Sequence, residues 1–240
     1  MDARLRAVVA LLVGPGLLAG CSSRSGGGVT DGAARAVVAG DPAYAMDQLL
    51  HRYGELGGAP ADLEGALPNH HYRVGRHPKL VSYSDALVIG RVTSVGKGVG
   101  VVWRGENDYT VVSFDDSSAS TRTAVVTMTV DDVTGAIGSA NRAMSFRVSV
   151  PSAADPEKFV ESLAGLGRIA VVLDRDARPY ESTPWRPLMN DSLIAVIGQR
   201  GSLTLPGLAG GRAFAGDLQS EAALFEAARA PDTTTALDIP

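Results

Sequence analysis

The chain has 240 residues, of which 45% are hydrophobic and only 5% aromatic, with a single cysteine and a formal net charge of −4. This acidic balance argues against binding to nucleic acid, because such binding depends on neutralising phosphates with Lys and Arg. The length suits one domain with a core built mainly from Val, Leu, Ile and Ala, and a lone cysteine has no intrachain partner for a disulfide.

Residues 1–20 have the layout of a secretory signal peptide. Arg4 and Arg6 precede an uncharged, mostly apolar stretch from Ala7 to Ala19, and small residues come directly before Cys21. The apolar stretch is shorter than the roughly 20 residues that a membrane-spanning helix needs. We therefore expect this segment to be removed on export and not to remain as a membrane span.

The block Leu18-Ala19-Gly20-Cys21 resembles the lipobox of bacterial lipoproteins. The resemblance implies that the chain is cut before Cys21 and that lipid is attached to its sulfur. Because two acyl chains anchor a protein stably, we expect the mature protein to be held at the extracytoplasmic face of the cell membrane. The alternative is a buried structural cysteine that happens to follow a signal peptide.

A linker and a short helix follow the lipobox. Residues 21–40 include three consecutive glycines and small polar residues, which predicts a flexible linker after the lipidated cysteine. Asp41 suits an N-cap and Pro42 the first helical position, so a short helix is predicted there. The rest of segment 41–79 is rich in Gly, Pro and polar residues without a hydrophobic period, which predicts an extended loop.

Strand patterns dominate residues 80–206. The first, Leu80 to Val95, contains Gly90, where a missing side chain permits a bend or bulge. The segments 123–130 and 144–150 alternate apolar with polar residues, which is typical of antiparallel strands with one face buried and one in solvent. That alternation places Ser145, Arg147 and Ser149 on the solvent face. Further strands are predicted at 168–174, 192–198 and 202–205.

Helices and loops separate these strands. Asp155-Pro156 repeats the N-cap and proline pair and predicts a helix that ends near Gly165. The proline-rich segment 180–187 is predicted to be a loop. A C-terminal helix is expected within 207–230, followed by a disordered tail at 231–240.

Three strand regions, a short helix and two more strand regions follow the order of an OB-type barrel. We therefore predict a mainly β fold with short flanking helices and an OB-like five-stranded antiparallel barrel, with an antiparallel β-sandwich as the alternative. The segments KLVSYSDALVIGRVTSV, AVVTMTVDDVTG and RIAVVLD resemble a pattern of uncharacterised actinobacterial lipoproteins and secreted proteins, in which the phrase S-D-x-V-V-x-G-x-V opens a small β-barrel. This resemblance implies a fold and no catalytic residue.

No motif in the chain defines a catalytic site. The glycine-rich stretch 96–100 is followed by a strand pattern and not by the helix that a phosphate loop needs. Residues 94–97 match S-x-x-K of penicillin-interacting serine enzymes, but the S-D-N and K-T-G elements of those enzymes are absent. The acidic pairs 115–116, 131–132 and 174/176 lack the density of a calcium-binding loop, so we predict solvated turns.

Three histidines are candidate metal ligands. Neutral imidazole suits Zn or Cu, and His70, His71 and His77 lie close together in the sequence. Adjacent histidines on an extended chain point in opposite directions, however, and no H-E-x-x-H element or ligand cysteine accompanies them. We therefore expect solvated histidines and no cofactor.

The aromatic residues offer the remaining candidates for recognition. Trp103, Tyr109, Phe114 and Phe146 could stack sugar rings or pack against a partner, although core filling is favoured. Trp185 lies between two prolines and is the preferred recognition residue.

The leading functional hypothesis is a lipid-anchored β-rich domain that binds an envelope protein or a small ligand without catalysis. The alternatives are an accessory subunit of an envelope complex and an envelope hydrolase or metal-dependent enzyme that uses the histidines or acidic pairs.

Overall fold

The computed structural model describes residues 39–50, 60–74, 80–105, 108–138, 142–189, 191–208 and 210–237. These residues all lie in the unit Ala34–Pro240, and the other unit, Met1–Ala33, lies wholly outside them. The predicted signal peptide, Cys21 and His77 are therefore outside the described residues.

The described residues form four α-helices, one 3-10 helix (Gln199–Gly201) and eleven strands. The α-helices are α1 (Pro42–Leu50), α2 (Pro156–Ala164), α3 (Gly211–Ala215) and α4 (Glu221–Arg229). The strands are β1 (His70–Val74), β2 (Leu80–Val81), β3 (Ala86–Trp103), β4 (Tyr109–Ser113), β5 (Thr121–Gly135), β6 (Ala143–Val150), β7 (Arg168–Arg175), β8 (Trp185–Pro187), β9 (Ile194–Ile197), β10 (Leu203–Thr204) and β11 (Thr233–Leu237). None of the helices that the structure describes has the length and apolarity needed to cross a bilayer.

The strands are arranged in two sheets. The eight-stranded sheet has the order β10-β9-β7-β3-β5-β6, with β4 added to the second half of β3 and β8 to the end of β7, and all its pairs are antiparallel. The small sheet has the order β11-β1-β2, with β11 parallel to β1. The predicted mainly β fold with short helices is confirmed. Among the described strands no pairing joins β10 to β6, so the OB-like barrel stays a prediction.

Strand β3 is the long central element of the large sheet. It pairs with β5 along most of its length and with β7 over its first third, from Ala86 to Arg91. The predicted bulge at Gly90 is confirmed, because the register with β5 shifts between Ile89 and Gly90. A Cβ at position 90 would lie 1.9 Å from the Thr129 carbonyl oxygen, so the close approach of the two strands requires glycine. The glycine-rich stretch 96–100 lies within this strand.

Two hydrophobic cores lie against the sheet. In the first half of β3, Ala86 and Val88 contact the main core, whereas Leu87 and Ile89 contact the second core. The main core packs α1 and α2 against the sheet, and it buries the predicted faces of β5 and β6. The residues of those two strands that it buries are Ala124, Val126, Met128, Phe146, Val148 and Val150. The second core joins α3, α4 and the turns at 61–67 to β7 and β9.

Helix α2, between β6 and β7, lies where the sequence predicts it, and capping residues define both of its ends. The side chain of Asp155 accepts a hydrogen bond from the Lys158 N–H (3.0 Å), and Pro156 occupies the first turn. The helix ends at Ala164, with Gly165 as its C-cap. Its buried side chains, Phe159, Val160, Ser162 and Leu163, face the sheet.

Three predicted irregular segments contain strands. His70–Val74 forms β1 within the predicted extended loop, because β2 and β11 pair with it from outside that segment. Trp185–Pro187 forms β8 within the predicted loop, and the edge position of this strand tolerates a proline that cannot donate to a neighbour. Thr233–Leu237 forms β11 within the predicted disordered tail. Asn69 aligns this strand with β1, because its side chain donates to the carbonyls of Ala227 (2.9 Å) and Ala230 (3.1 Å) while its own carbonyl accepts from the Thr233 N–H (3.0 Å).

Candidate functional site

Three aromatic rings come together at the far end of the β3–β4 hairpin. Trp103 on β3 lies opposite Tyr109 on β4, with ring centroids 5.3 Å apart. Tyr180, from the segment that follows β7, lies 5.0 Å from Tyr109. Trp103 is 40% exposed and the two tyrosines are half-buried. We call Trp103, Tyr109 and Tyr180 the aromatic cluster.

A cavity of about 140 Å³ lies beside this cluster. Its walls come from the second half of β3, the start of β5, the end of β6 and the segment after β7. The lining residues are Val99, Val101, Trp103, Thr121, Arg122, Thr123, Ser149, Val150, Arg178, Tyr180 and Glu181. We call this space the aromatic cavity, because Trp103 and Tyr180 belong to both its wall and the cluster.

Glu181 contributes a buried carboxyl group to this lining. Its side chain is only 2% exposed, and Oε2 accepts a hydrogen bond from the Thr123 hydroxyl at 3.2 Å. Burial raises the pKa of Glu181 above its usual value, although Arg147 and the Thr123 hydrogen bond act in the opposite direction. The carboxyl therefore keeps its proton to a higher pH than an exposed glutamate does.

Arg147 lies behind the cavity with a side chain that is 3% exposed. Its Nη1 donates to the Thr183 carbonyl at 3.0 Å and its Nη2 to Asp176 at 2.7 Å, while Nε lies 4.0 Å from Glu181 Oε1. The predicted solvent position of Arg147 is wrong. The segment after β7 covers this face of β6 and provides all three partners.

The charged residues of the lining are paired within the protein. The Arg122 guanidinium donates to three backbone carbonyls, those of Phe114, Asp116 and Ala119. Arg178 donates to Asp176 at 3.1 Å and to the Tyr180 hydroxyl at 3.4 Å, and Glu181 has the contacts given above. The cavity therefore combines aromatic surface with charged groups that already have hydrogen-bond partners within the protein.

The loop before β9 supports the end of β6 at this cavity. Asp191 Oδ2 accepts from the Ser149 N–H at 2.8 Å, and Asp191 itself is 3% exposed. Its φ of 70° lies in the left-handed region, which is uncommon for a residue other than glycine. This conformation persists because burial and the hydrogen bond to β6 hold the loop in place.

The structure divides the aromatic residues into two groups. Phe114 (4% exposed) and Phe146 (0%) fill the main core, as predicted. Core filling is wrong for Trp103 and Tyr109, because the β3–β4 hairpin extends beyond the part of the sheet that the helices cover. Trp185 is half-buried on β8 and packs against the main core, so its role in recognition stays a prediction.

The two described candidate histidines take part in the small sheet. The ring nitrogens of His70 lie 3.0 Å from the hydroxyls of Thr233 and Thr235, and His71 Nε2 lies 3.4 Å from Asp232. Within the described part of the chain, no three His, Cys, Asp or Glu side chains form a group that could hold a metal ion.

The acidic pairs mostly meet basic side chains. Asp115 lies 2.7 Å from Lys97, Asp131 2.9 Å from Arg168, Asp132 3.1 Å from Arg229 and Asp174 3.4 Å from Arg186. These pairs are partly exposed, and such pairs contribute about 0–1 kcal/mol each. Asp176 differs, because it binds the buried Arg147 behind the aromatic cavity.

Two other cavities are less suited to recognition. One of about 290 Å³ is lined by Pro60, Ala61, Asp62, Gly65, His70, Tyr72, Tyr83 and Thr235, and the buried Tyr72 hydroxyl donates to the Gly65 carbonyl at 3.1 Å. Burial, with smaller contributions from Tyr83 and Asp62, raises the pKa of Tyr72. The other, of about 400 Å³, is lined by Ser202, Leu203, Thr204, Leu205, Pro206, Gly211, Arg212, Ala215 and Gln219. The described lining of that third cavity contains one charged side chain, Arg212, and no aromatic ring.

Compared with known proteins, the chain matches no protein-family model, no curated protein and no solved structure. The aromatic cavity must therefore be interpreted from its own chemistry. Sequence patterns could identify Trp103 but not Tyr180, Glu181, Thr123 or Arg147, whose side chains meet through contacts distant in the chain.

Proposed function

We propose that the protein is a lipid-anchored, extracytoplasmic domain that binds a ligand in the aromatic cavity and catalyses no reaction. The observation that supports binding is the exposed aromatic cluster beside a cavity with buried polar groups. The proposed anchor rests on the lipobox resemblance around Cys21, which lies outside the described residues. An envelope protein is the alternative occupant of the same surface.

Ligand sites are concave and combine mostly apolar walls with a few polar groups that orient the ligand. Val99, Val101 and Trp103 supply apolar wall on β3, and Thr123 and Glu181 supply the polar groups. The rings also have fixed positions, because Trp103 Nε1 donates to the Thr121 hydroxyl at 3.2 Å. A rigid site binds at a lower entropic cost than a site that must be ordered by its ligand.

We also propose that β3, β5, β6, β7 and β9 form an OB-like barrel that is left open, with the antiparallel sandwich as the alternative. The supporting observation is their order in the sheet, β9-β7-β3-β5-β6. In chain order, α2 lies between the third of these strands, β6, and the fourth, β7. OB-folds bind ligands on the face of their second and third strands and with the loops between strands 1 and 2 and strands 4 and 5. In the proposed arrangement the aromatic cavity would correspond to this location, because β5 and β6 line it and Tyr180 follows β7.

The anchor is tested by labelling cells with radioactive palmitate. Wild-type protein should incorporate the label and sediment with membranes, and Cys21→Ser should not incorporate it, since the substitution removes the acceptor sulfur. Cys21→Ala serves as a second variant without a side-chain hydroxyl. An unlabelled wild-type protein, or label retained in both variants, would contradict the anchor.

The binding site is tested by ¹⁹F NMR of the full chain labelled with 5-fluorotryptophan. The chain has two tryptophans, so the spectrum should contain one resonance from Trp103 and one from Trp185. Trp185→Phe assigns the resonances. A panel of neutral disaccharides, a proline-rich peptide and soluble phospholipid headgroups is titrated. We expect at least one compound to shift the Trp103 resonance and leave the Trp185 resonance unchanged. A panel that leaves Trp103 unchanged, or shifts both resonances alike, would count against the aromatic cavity.

A further inference from the structure

We propose that the ligand of the aromatic cavity is a neutral saccharide, with one sugar ring against the face of Trp103 and its hydroxyl groups bonded to Glu181 and Thr123. This inference rests on the proposed binding function and adds the chemical class of the ligand.

The aromatic cluster suits the apolar face of a sugar ring. A pyranose presents C–H groups on its face and hydroxyl groups around its edge. The negative face of an aromatic ring attracts such C–H groups, which carry a partial positive charge. Trp103 is held by its Nε1–H bond to Thr121 and by contact with Tyr109, and it still exposes 40% of its surface. It therefore offers a fixed, accessible platform.

The charge distribution favours a neutral ligand. An anionic ligand would need free guanidinium N–H groups, but each of the three nitrogens of Arg122 already donates to a backbone carbonyl, and Arg178 donates to Asp176 and Tyr180. A cationic ligand would need an available carboxylate, whereas Glu181 lies near Arg147 and accepts from Thr123. Because burying an unpaired charge is costly, a ligand without charge suits this lining better than an ion.

The polar groups suit hydroxyls in particular. A hydroxyl group both donates and accepts, so it can bond to a carboxylate or to a carboxylic acid. Burial raises the pKa of Glu181, and a hydroxyl ligand is compatible with both of its protonation states. The Thr123 hydroxyl, 3.2 Å from the same carboxyl, is a second group that can turn toward a sugar edge.

The cavity volume limits how much of the ligand enters. About 140 Å³ is well below the roughly 300–1,000 Å³ of pockets that enclose a drug-sized ligand. One sugar ring of a longer glycan can therefore occupy the cavity while the next ring lies outside, along the cluster toward Tyr109. We expect disaccharides to bind more tightly than the corresponding monosaccharides.

A proline-rich peptide is the main competing ligand, since polyproline helices dock into grooves lined by aromatic side chains. Such grooves recognise an extended apolar strip, and the buried Glu181 would have no part in that contact. Dependence of binding on Glu181 therefore separates the two ligand classes.

The test uses the full chain, purified from membranes in lauryldimethylamine oxide because that detergent has no sugar headgroup, and labelled with 5-fluorotryptophan. Cellobiose, maltose, lactose and N,N′-diacetylchitobiose are titrated separately, alongside a proline-rich decapeptide. We expect at least one disaccharide to shift the Trp103 resonance and to bind more tightly than its monosaccharide. The affinity of each variant is measured by isothermal titration calorimetry, because Trp103→Ala removes its own ¹⁹F reporter. Trp103→Ala should weaken that binding about tenfold and Glu181→Gln about fivefold, from the loss of one ring contact and one hydrogen bond.

Trp185→Phe is the matched control, since it changes the other indole and should leave disaccharide affinity unchanged. The Trp185 resonance reports whether Trp103→Ala and Glu181→Gln still fold. Disaccharide binding that survives Trp103→Ala, in a protein with an unchanged Trp185 resonance, would overturn the proposed location. If only the peptide shifts Trp103, the saccharide class is wrong and the binding function stands. If no compound shifts Trp103, both proposals fail.

Discussion

Two groups of aromatic rings lie beside cavities in this protein, and they differ in how their polar atoms are used. In the small sheet, Tyr72 lies 4.9 Å from His70 and 4.8 Å from Tyr83, is 7% exposed, and bonds to Gly65. In the aromatic cluster, Trp103 remains 40% exposed beside a cavity that is also lined by the buried Glu181 carboxyl. In the first arrangement the tyrosine hydroxyl is used within the fold, whereas the second leaves ring surface exposed to solvent.

The contacts that hold the two groups of rings in place also differ. Tyr72 rests on the turn at Gly65, where an added Cβ would lie 2.3 Å from the tyrosine oxygen. The aromatic cluster rests on Arg147, which joins β6 to the segment that carries Tyr180 and Glu181. Tight backbone packing holds one group of rings, and a buried ionic network holds the other.

The largest expected effect comes from removing that ionic support. Arg147→Met should lower the free energy of unfolding by about 3–5 kcal/mol, because it leaves the buried Glu181 carboxyl without its nearest cation and removes the buried hydrogen bonds to Asp176 and Thr183. Urea denaturation at constant salt measures this change. The matched control is Arg73→Met at an exposed position of β1, which we expect to change stability by less than about 0.5 kcal/mol. Equal effects of the two substitutions would show that Arg147 is not the support of the cluster.

A smaller effect is expected at the tyrosine of the small sheet. Tyr72→Phe should lower the free energy of unfolding by about 1 kcal/mol, because it keeps the ring but removes the hydrogen bond to Gly65. Thermal or urea unfolding measures it. Tyr109→Phe makes the same change in the aromatic cluster, where we expect less than about 0.5 kcal/mol since the half-buried ring contacts are kept. A larger loss at Tyr109 than at Tyr72 would reverse the comparison.

The smallest expected effect is a pH trend at Glu181. Its pKa is raised in the folded protein, so its contribution to stability is fully present below the ordinary glutamate value of about 4.3 and is lost as the pH rises through the folded pKa. Glu181→Gln cannot ionise and does not show this loss. The free energy of unfolding of the variant, relative to wild type, should therefore increase between about pH 4 and pH 7. A decrease over that range would mean that attraction to Arg147 outweighs burial.

Several parts of the fold were predictable because their causes are local. The alternation in β5 and β6 identified the buried faces, which include Val126 and Phe146, and Asp155 with Pro156 identified the start of α2. Gly90 marked the bulge in β3. Each of these signals depends on neighbouring residues, so a window of a few positions contains the necessary information.

The candidate site was only partly predictable. The sequence identifies Trp103 and Tyr109 as residues that could stack against sugar rings, but it favours core filling for both. It does not show how far along β3 and β4 the helices pack against the sheet. Arg147 was assigned to solvent because strand alternation takes no account of a segment that returns over the same face. Glu181 carries no local signal at all.

The mainly β character, the helix caps and the apolar faces of the strands follow from the amino-acid sequence alone, since backbone propensity and side-chain alternation act over a few residues. The proposed anchor likewise rests on a local block, Leu18-Ala19-Gly20-Cys21, which resembles a lipobox. The burial of Arg147 and the contact between Tyr180 and Tyr109 follow from the three-dimensional arrangement, because they join β6 and the β3–β4 hairpin to a distant segment. Burial depends on what covers a surface, and that cover comes from elsewhere in the chain.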